Sequence, residues 1–200
     1  MKRKAVSPPR QCHQKRPAGT VMSGSLNLLL SSQADTARLG RTIGRALKGG
    51  EVLALIGDLG AGKTALVKGV AAGIHAPKAS VSSPTFVLMH HYHDRLPLVH
   101  VDFYRLRTQS DAENIGLHEY FDGTAVTAIE WADRFPALLP DDRLEVRLRH
   151  KSPTVRTVEL SAHGPQALQV LQQVREDRHP PRKVAGHSAH TPRPRKATTR

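Results

Sequence analysis

Cysteine is almost absent from this sequence, because Cys12 is the only one in 200 residues. No disulfide can therefore form within the chain, and a zinc site built on several cysteines is excluded. Long apolar runs are missing as well. None approaches the roughly 20 residues of a membrane-spanning helix, and none follows the basic N-terminus as the apolar segment of a secretory signal would. These absences predict a cytoplasmic protein in a reduced setting, with no membrane contact.

Acidic residues are missing from both ends of the chain. All 17 lie between Asp35 and Asp177, whereas residues 1–25 carry six basic side chains and residues 178–200 carry seven. The segment 26–177 is left with 17 basic and 17 acidic residues, so the net charge of +13 belongs to the two ends. Both ends are poor in apolar residues, which predicts disordered basic tails around one folded domain at 26–177.

The basic tails allow two interpretations. Their lysines and arginines can contact RNA through its phosphates, an interaction that depends on salt and not on base sequence. The N-terminal tail can instead be an extension without a function of its own, with Met22 as the true start. For a signal that rests on composition alone, the second interpretation is favoured.

The glycine-rich segment between residues 51 and 64 follows the pattern G-x-x-x-x-G-K-[ST]. An apolar run at 52–56 predicts a buried strand before it, and the spacing over 65–72 predicts a helix after it. Glycines let backbone amides approach a polyphosphate, and the helix N-terminus adds its free N–H groups. Lys63 can reach the β- and γ-phosphates, and Thr64 can ligate Mg²⁺. The pattern predicts a nucleoside triphosphate site formed by Gly57, Asp58, Leu59, Gly60, Ala61, Gly62, Lys63, Thr64 and Ala65.

Two carboxylates follow predicted strands further along the chain. Asp102 lies in the apolar run 98–104, the form of a segment whose acid holds Mg²⁺ in P-loop proteins. Glu130 follows the run 125–129, and a carboxylate at the carboxyl end of a strand can ligate Mg²⁺ or orient the attacking water. Because both follow a phosphate-binding pattern, we expect them at one ligand site.

Thr85 and Trp131 each allow a functional and a structural interpretation. Thr85 can sense Mg²⁺ and the γ-phosphate, as a Ser or Thr after the first helix does in P-loop proteins. It can equally serve, with Ser83, only to shape the turn around Pro84. Trp131 can contact a partner or anchor the core, and the core is the default for a lone tryptophan.

The remaining periodicities predict an α/β fold of the P-loop NTPase type, with three layers and a mixed central sheet. Strands are expected at 26–30 and 86–92, and alternating strands that run antiparallel at 143–149 and 154–160. The other predicted elements are a helix from Ser31 or Ser32 to about Lys48, a helix over 111–121 broken at Gly116, and a helix over 165–174.

Other nucleotide-binding and metal-binding classes fit less well. A GTPase reads guanine with N-K-x-D, but neither of the two asparagines, Asn27 and Asn114, begins such a segment. A small-metabolite kinase usually needs a lid that places arginines over the phosphates. The nearest arginine pair, Arg105 and Arg107, directly follows Asp102 and does not resemble a lid. The kinase remains the alternative. The histidines at 90, 91, 93 and 100 lack the neighbours of a zinc site.

Five segments, in this order and spacing, closely resemble the TsaE family, formerly called the YjeE family. They are GDLGAGKTALVKG at 57–69, SSPTFVL at 82–88, VHVDFYRL at 99–106, IGLHEYFDG at 115–123 and AIEWADRF at 128–135. The resemblance covers residues 26–160. It implies a single P-loop domain that hydrolyses ATP with Mg²⁺, weakly by itself and faster with partners. The implied partners are TsaB-type and TsaD-type proteins, whose complex forms threonylcarbamoyladenosine beside the anticodon of tRNA. The implied role is to drive turnover of that complex and not to perform the transfer.

The resemblance also implies roles for individual residues. Phosphates and Mg²⁺ would be bound by Gly60, Gly62, Lys63 and Thr64. Asp102 and Glu130 would form an acidic pair for Mg²⁺ and catalysis, with Lys63 as the third catalytic residue. Thr85 would be the switch residue, Trp131 a function-linked neighbour, and residues 32–36 would lie near the base. Ala65 stands where many members have a second threonine, which leaves Thr64 untouched.

Overall fold

The computed structural model describes residues 23–75, 81–92, 96–121 and 123–178. In chain order the elements are β1 (Ser23–Leu30), α1 (Gln33–Ala46), β2 (Val52–Ile56), α2 (Lys63–Gly73), β3 (Met89–Tyr92), β4 (Leu98–Asp102), α3 (Gln109–Glu113), β5 (Val126–Glu130), β6 (Arg143–His150), β7 (Arg156–His163) and α4 (Pro165–Arg178). Short 3-10 helices lie at Leu117–Tyr120, Ala132–Arg134 and Pro136–Leu138. Among the helices described, none combines the length and the hydropathy of a membrane span.

The seven strands form one mixed sheet in the order β1-β7-β6-β2-β5-β4-β3. The four strands β6, β2, β5 and β4 run parallel, whereas β7 and β3 are antiparallel to their neighbours. β2, β5 and β4 therefore end at one edge of the sheet, which we call the carboxyl edge. In open α/β sheets, ligands bind in the crevice outside this edge.

Apolar side chains cover both faces of the sheet, so the fold has three layers, as predicted. On one face, α1, α2 and α4 share a core with Leu53 and Leu55 of β2. On the other face, Val52, Ala54 and Ile56 join a smaller core with α3 and the 3-10 helices. Because β2 is buried at every position, its sequence is a continuous apolar run.

Glycines on α1 and α2 face each other and let the two helices pack backbone to backbone. Gly40 and Gly44 of α1 oppose Gly69 and Gly73 of α2. A Cβ on Gly69 would lie 2.3 Å from the carbonyl oxygen of Ala37 and 2.9 Å from the Cα of Gly40. This contact fixes the distance between α2 and α1, because a close-packed interior has few voids into which either helix could move.

Local signals start α1 and interrupt the helix predicted at 111–121 where the sequence predicts, whereas α3 begins at Gln109 and α4 continues past the predicted end at Val174 to Arg178. Ser32 caps α1, and its hydroxyl accepts a hydrogen bond from the Asp35 amide at 3.1 Å. Gly116, with φ of +73°, interrupts the predicted helix between α3 and the 3-10 helix at Leu117–Tyr120. Glycine adopts this left-handed conformation without a steric penalty, so the break lies where glycine permits it.

The folded part of the chain extends beyond the limits predicted from composition. β1 begins at Ser23, because the backbone of residues 23–25 pairs with residues 161–163, and ladder hydrogen bonds need no apolar side chains. The prediction of disorder is therefore wrong for residues 23–25. It is also wrong for Arg178, which is the last residue of α4 and lines a cavity together with Leu30. Residues 1–22 and 179–200 of the predicted tails lie outside the described residues.

The strand predicted to begin at Phe86 begins at Met89 instead. The Pro84 carbonyl accepts hydrogen bonds from the amides of Val87 and Leu88, which closes a turn over these residues. Leu88 has φ of +67°, a left-handed conformation that a regular strand does not contain. Turn formation after Pro84 thus overrides the strand preference of Phe86 and Val87.

Candidate functional site

The glycine-rich loop between β2 and α2, residues 57–64, lies at the carboxyl edge of the sheet. Gly57 and Gly62 have φ of +146° and +109°, a range that L-residues rarely adopt. At Gly57 a Cβ would also lie 2.3 Å from the Leu148 carbonyl oxygen, so a side chain would collide with β6. The path of the loop therefore requires glycine at these positions.

The first backbone amides of α2 are available to a ligand. The Leu66 amide donates to the Gly62 carbonyl at 2.9 Å, but within the described ranges nothing accepts a hydrogen bond from the amides of residues 62–65. Free amides at a helix N-terminus, together with the positive end of the helix dipole, favour an anion. This end of α2 can bind a phosphate group.

Lys63 is buried against the loop that precedes it. Its Nζ donates to the carbonyls of Gly57 at 2.6 Å and Asp58 at 2.9 Å, and lies 3.8 Å from the ring centroid of Trp131. Burial lowers the pKa of Lys63, and nearby carboxylates, Glu130 foremost, oppose this shift. The ammonium group thus has neutral hydrogen-bond partners, and an anion bound at α2 would give it a charged one.

Glu130, at the end of β5, is connected directly to the loop. Its Oε1 accepts a hydrogen bond from the Thr64 hydroxyl at 2.8 Å and lies 2.9 Å from His100 Nε2. The side chain is almost completely buried. A carboxylate and a hydroxyl joined in this way form a pair of oxygen ligands suited to a hard cation such as Mg²⁺.

Asp102, at the end of β4, connects the segment after α2 to the same edge. Its Oδ2 accepts hydrogen bonds from Thr85 Oγ1 at 2.5 Å and Ser83 Oγ at 3.2 Å, and its Oδ1 accepts one from the Tyr104 amide at 2.8 Å. Thr85 therefore lies in the turn after Pro84 and also contacts the acid. The structural and the functional interpretation of Thr85 are compatible.

Trp131 follows Glu130 in a left-handed backbone conformation with φ of +58°. For a bulky residue this conformation is uncommon and is strained unless its surroundings hold it. One part of the side chain packs against the smaller core, and the ring also contacts Tyr104 with centroids 5.0 Å apart. Trp131 is half-buried and thus both anchors the core and covers Lys63, instead of serving the core alone.

These side chains surround one cavity of about 430 Å³ at the carboxyl edge. Asp102 and Glu130 are direct neighbours in the register of the parallel pair β4 and β5. The residues that line the cavity are Gln33, Leu59, Gly60, Gly62, Lys63, Thr64, Ala65, Ser83, Thr85, Asp102, Tyr104, Glu130 and Trp131. A cavity of about 520 Å³ lies between residues 46–51 and α4, which contributes four glutamines to its lining, and its Glu51 already accepts hydrogen bonds from two backbone amides. We therefore regard the cavity at the carboxyl edge as the candidate site.

Three predicted loop residues lie away from the centre of this cavity. Gly57 and Asp58 line a neighbouring cavity of about 370 Å³, and Ala61 is fully buried beneath the loop. The segment expected near the base lies beside α2, because a Cβ on Gly62 would lie 3.5 Å from Thr36 Cγ2. The other predicted site residues line the cavity itself.

Three residues at the site went unrecognised in the sequence. Tyr104 lines the cavity, and two others contact the site from outside its lining. His100 contacts Glu130 across neighbouring strands, and Arg156 of β7 donates from Nε to the Ala61 carbonyl at 3.0 Å. A histidine within the apolar run of β4 was a usable signal, since a buried polar group needs a partner. No comparable signal marked Arg156, because it lies on a strand that alternates in the ordinary way.

Comparison with known proteins gives consistent matches over this part of the chain. The family model described as "Threonylcarbamoyl adenosine biosynthesis protein TsaE" matches residues 30–158, which include the loop and both acids. Two curated relatives carry the name tRNA threonylcarbamoyladenosine biosynthesis protein TsaE. The protein from Treponema pallidum is 45% identical over 118 residues, 59% of this chain and 87% of its own. The protein from Bacillus subtilis is 39% identical over 131 residues, 65% of this chain and 81% of its own.

A solved structure matches the fold as well. The crystal structure of YdiB from Bacillus subtilis superposes with a TM-score of 0.66 at 30% sequence identity. The match covers 78% of this chain and 98% of that chain. The fold match thus covers a larger share of this chain than the two sequence matches, which cover 59% and 65%.

Proposed function

The chain belongs to the TsaE family, and from this premise we propose that it is an ATPase of tRNA threonylcarbamoyladenosine biosynthesis. Its role in that biosynthesis follows from the family. The further parts of the proposal are that the chain hydrolyses ATP with Mg²⁺ and that hydrolysis drives turnover of the complex that transfers the threonylcarbamoyl group. On this proposal the chain does not perform the transfer itself.

The observation that carries the proposal is the convergence of complementary groups around the cavity at the carboxyl edge. Free amides and Lys63 lie on the side of the glycine-rich loop, whereas Asp102 and Glu130 lie on the side of the sheet. Thr64 joins the two sides through its hydrogen bond to Glu130. Donors for a polyphosphate beside acceptors for a cation are what binding of a metal–nucleotide complex needs.

The residues of the cavity fit Mg²⁺. The ion prefers oxygen ligands and usually keeps water and phosphate ligands beside one or two carboxylates. Thr64, Asp102 and Glu130 would hold the ion. When bound, it would neutralise charge on the β- and γ-phosphate oxygens.

The chain's own groups then account for the steps of hydrolysis. The amides of residues 62–65 would bind the phosphates. A water oxygen attacks the γ-phosphorus while the bond between this phosphorus and the β,γ-bridging oxygen breaks. The products are ADP and phosphate. Lys63 would stabilise the negative charge that develops on the phosphate oxygens, a contribution that is large in a water-poor site. Glu130 would orient the water and take up its proton.

Thr85 suits the role of a switch in this scheme. Its hydroxyl is engaged by Asp102, one of the expected Mg²⁺ ligands, so binding of the ion would compete for the same carboxylate. A segment that exchanges one such contact for another can report the presence of the γ-phosphate. The segment at residues 83–88 would then differ between the ATP-bound and ADP-bound protein.

The proposed partners are the TsaB-type and TsaD-type proteins that the family resemblance implies. Contact with tRNA through the basic residues of 1–22 and 179–200 is part of the proposal, as is a cytoplasmic location. In the described part of the chain no arginine lines the cavity, and Arg105 instead packs on the ring of Phe86 at 4.1 Å. The small-metabolite kinase, which needs cations over the phosphates, is therefore the weaker candidate.

Phosphate release tests the proposal. The purified chain would be assayed alone and with TsaB-type and TsaD-type partners from the same organism, at one fixed salt concentration. We expect slow release by the chain alone and strong stimulation by the partners. Binding of ATP without release under either condition would contradict the proposed ATPase. Transfer of labelled γ-phosphate to a metabolite, and not to water, would favour the kinase.

Two pairs of variants make the test specific. Lys63→Ala should abolish release while the protein stays folded, and Lys68→Ala, on the exposed side of α2, is its matched control. Glu130→Ala should bind ATP but lose at least about a hundredfold in rate, as expected for loss of a general base. Glu130→Gln keeps the oxygen that accepts from Thr64 but removes the charge, so it separates positioning from proton transfer.

A further inference from the structure

A histidine that the proposed mechanism does not use is completely buried beside Glu130. His100 occupies the centre of β4 and is inaccessible to solvent. Its Nε2 lies 2.9 Å from Glu130 Oε1, and its Nδ1 is buried without a hydrogen-bond partner. An imidazole in this place loses its hydration on both nitrogens and regains one hydrogen bond.

Packing alone does not account for this residue. The neighbours of His100 along β4, Val99 and Val101, are apolar and buried, and an apolar residue would fit the same strand without an orphaned nitrogen. A buried polar group with one unsatisfied atom calls for a specific explanation. The single hydrogen bond that the side chain makes goes to the carboxylate of the candidate site.

Both hydrogen bonds to the Glu130 side chain end on the same oxygen. Thr64 Oγ1 and His100 Nε2 approach Oε1, and no described residue donates to Oε2. His100 acts from the sheet and Thr64 from the loop, so together they fix the carboxylate between them. The orientation of Oε1 is determined, and Oε2 is left for a ligand.

We propose that His100 is a positioning residue, which holds Glu130 in the orientation needed for the metal–nucleotide complex. The ring donates through Nε2, because an ionised carboxylate can only accept. When the Thr64 hydroxyl turns towards a cation, the hydrogen bond from His100 remains. This hydrogen bond prevents the Glu130 side chain from changing to another rotamer. This inference deepens the proposed function and rests on it, since it assigns a partner to Glu130 in that role.

A matched pair of variants tests the role of the Nε2–H group. In glutamine, Nε2 lies four bonds from Cα, as His Nε2 does, so His100→Gln retains a donor near Glu130. His100→Met is of similar length and has no donor. The readout is a titration of Mg²⁺ against the protein with a non-hydrolysable ATP analogue, followed through the fluorescence of Trp131, the only tryptophan.

We expect His100→Met to weaken the apparent Mg²⁺ affinity by about ten- to a hundredfold, the range for loss of a hydrogen bond to a charged group. His100→Gln should stay close to wild type, within about threefold. His100→Met and His100→Gln should also differ from each other more in kcat than in the KM for ATP, because Glu130 acts on the reacting groups and not on the nucleoside.

A double-mutant cycle distinguishes positioning from a general structural effect. In a Glu130→Ala background, His100→Met should change the Mg²⁺ affinity by less than about twofold, because its partner is already gone. Equal losses in both backgrounds would overturn the inference. So would a folded His100→Met protein that titrates like wild type.

The outcomes also separate this inference from the proposed function. A wild-type protein that shows no Mg²⁺-dependent nucleotide binding would contradict the proposed function, and the role of His100 with it. Mg²⁺-dependent binding in wild type that is unaltered in His100→Met would contradict the role of His100 alone. If His100→Met does not fold, His100→Asn serves instead, since its amide reaches only the position of Nδ1 and should not substitute for the donor.

Discussion

The glycine contact between α1 and α2 predicts that Gly69→Ala destabilises the fold, although alanine is the better helix residue. In an isolated helix the change would gain about 1 kcal/mol. Here the new Cβ would lie 2.3 Å from the Ala37 carbonyl oxygen and 2.9 Å from the Cα of Gly40, and Cβ contacts under 3.0 Å essentially never occur. The helices would have to separate by roughly 1 Å, which forfeits a quarter to a half of the dispersion energy at the contact.

The net effect follows from setting these terms against each other. Overpacking costs about 1–3 kcal/mol, and the upper value applies here because both contacted atoms belong to the backbone. After the gain in helix propensity, we expect a loss of about 2 kcal/mol in the free energy of unfolding. For a domain of this size that lowers Tm by about 4–8 °C.

Thermal and urea unfolding of the whole chain would measure this loss. Gly123→Ala is the matched control, because a Cβ there would meet no atom closer than 3.8 Å, and we expect a change within about 0.5 kcal/mol. A Gly69→Ala protein as stable as wild type would refute the reasoning, because the helices would then be able to separate without loss.

Three further predictions concern the N-terminus of α1 and the proposed switch. Ser32→Ala should lower the free energy of unfolding by about 1 kcal/mol in urea, since the Asp35 amide loses its cap. Thr85→Val should keep nucleotide affinity but slow phosphate release about tenfold, since valine cannot donate to Asp102. A hydrogen bond between the Ser32 side chain and the Asp35 carboxylate, separate from the cap, lowers the pKa of Asp35 below its usual 3.8. The stability that the ionised carboxylate contributes is therefore present above about pH 4 and lost as the pH falls through the lowered pKa, and Asp35→Asn should remove this part of the acid dependence.

Each of these predictions has an outcome that would contradict it. Unchanged stability in Ser32→Ala, with Ser32→Asp as the capping control, would mean that the cap adds nothing to α1. Equal losses of affinity and rate in Thr85→Val, but not in Thr85→Ser, would assign Thr85 to nucleotide binding instead of switching. An acid dependence of unfolding that is identical in wild type and Asp35→Asn would show that this carboxylate is not linked to folding.

The sequence predicts those parts of the fold and site that depend on local pattern. The strand at 52–56, the glycine-rich loop and α2 are contiguous, so one motif with its flanks determines all three. Asp102 and Glu130 could be placed at the ends of strands, because an apolar run that stops at an acid is visible in the sequence. Their adjacency, however, required the strand order.

Contacts between distant residues could not be predicted, because they depend on which strands become neighbours. β5 lies between β2 and β4, although it follows both in the chain. This order brings Glu130 to Thr64 on one side and to His100 on the other. No local pattern encodes it, and the alternating sequence of β7 likewise gives no sign that Arg156 reaches Ala61. At residues 86–88 a local rule was available, but the turn at Pro84 took precedence over strand propensity.

The direction of β1 distinguishes the two cationic ends of the chain. Because β1 is antiparallel to β7, and β7 to β6, β1 runs in the same direction as β2 and finishes at the carboxyl edge. α4 also finishes there, with Arg178 beside Leu30, so the described part of the chain begins, at Ser23, on the edge opposite the candidate site and ends, at Arg178, on the edge that carries it. Under the proposed function, a partner that binds near Arg178 would lie closer to the candidate site than one that binds near Ser23.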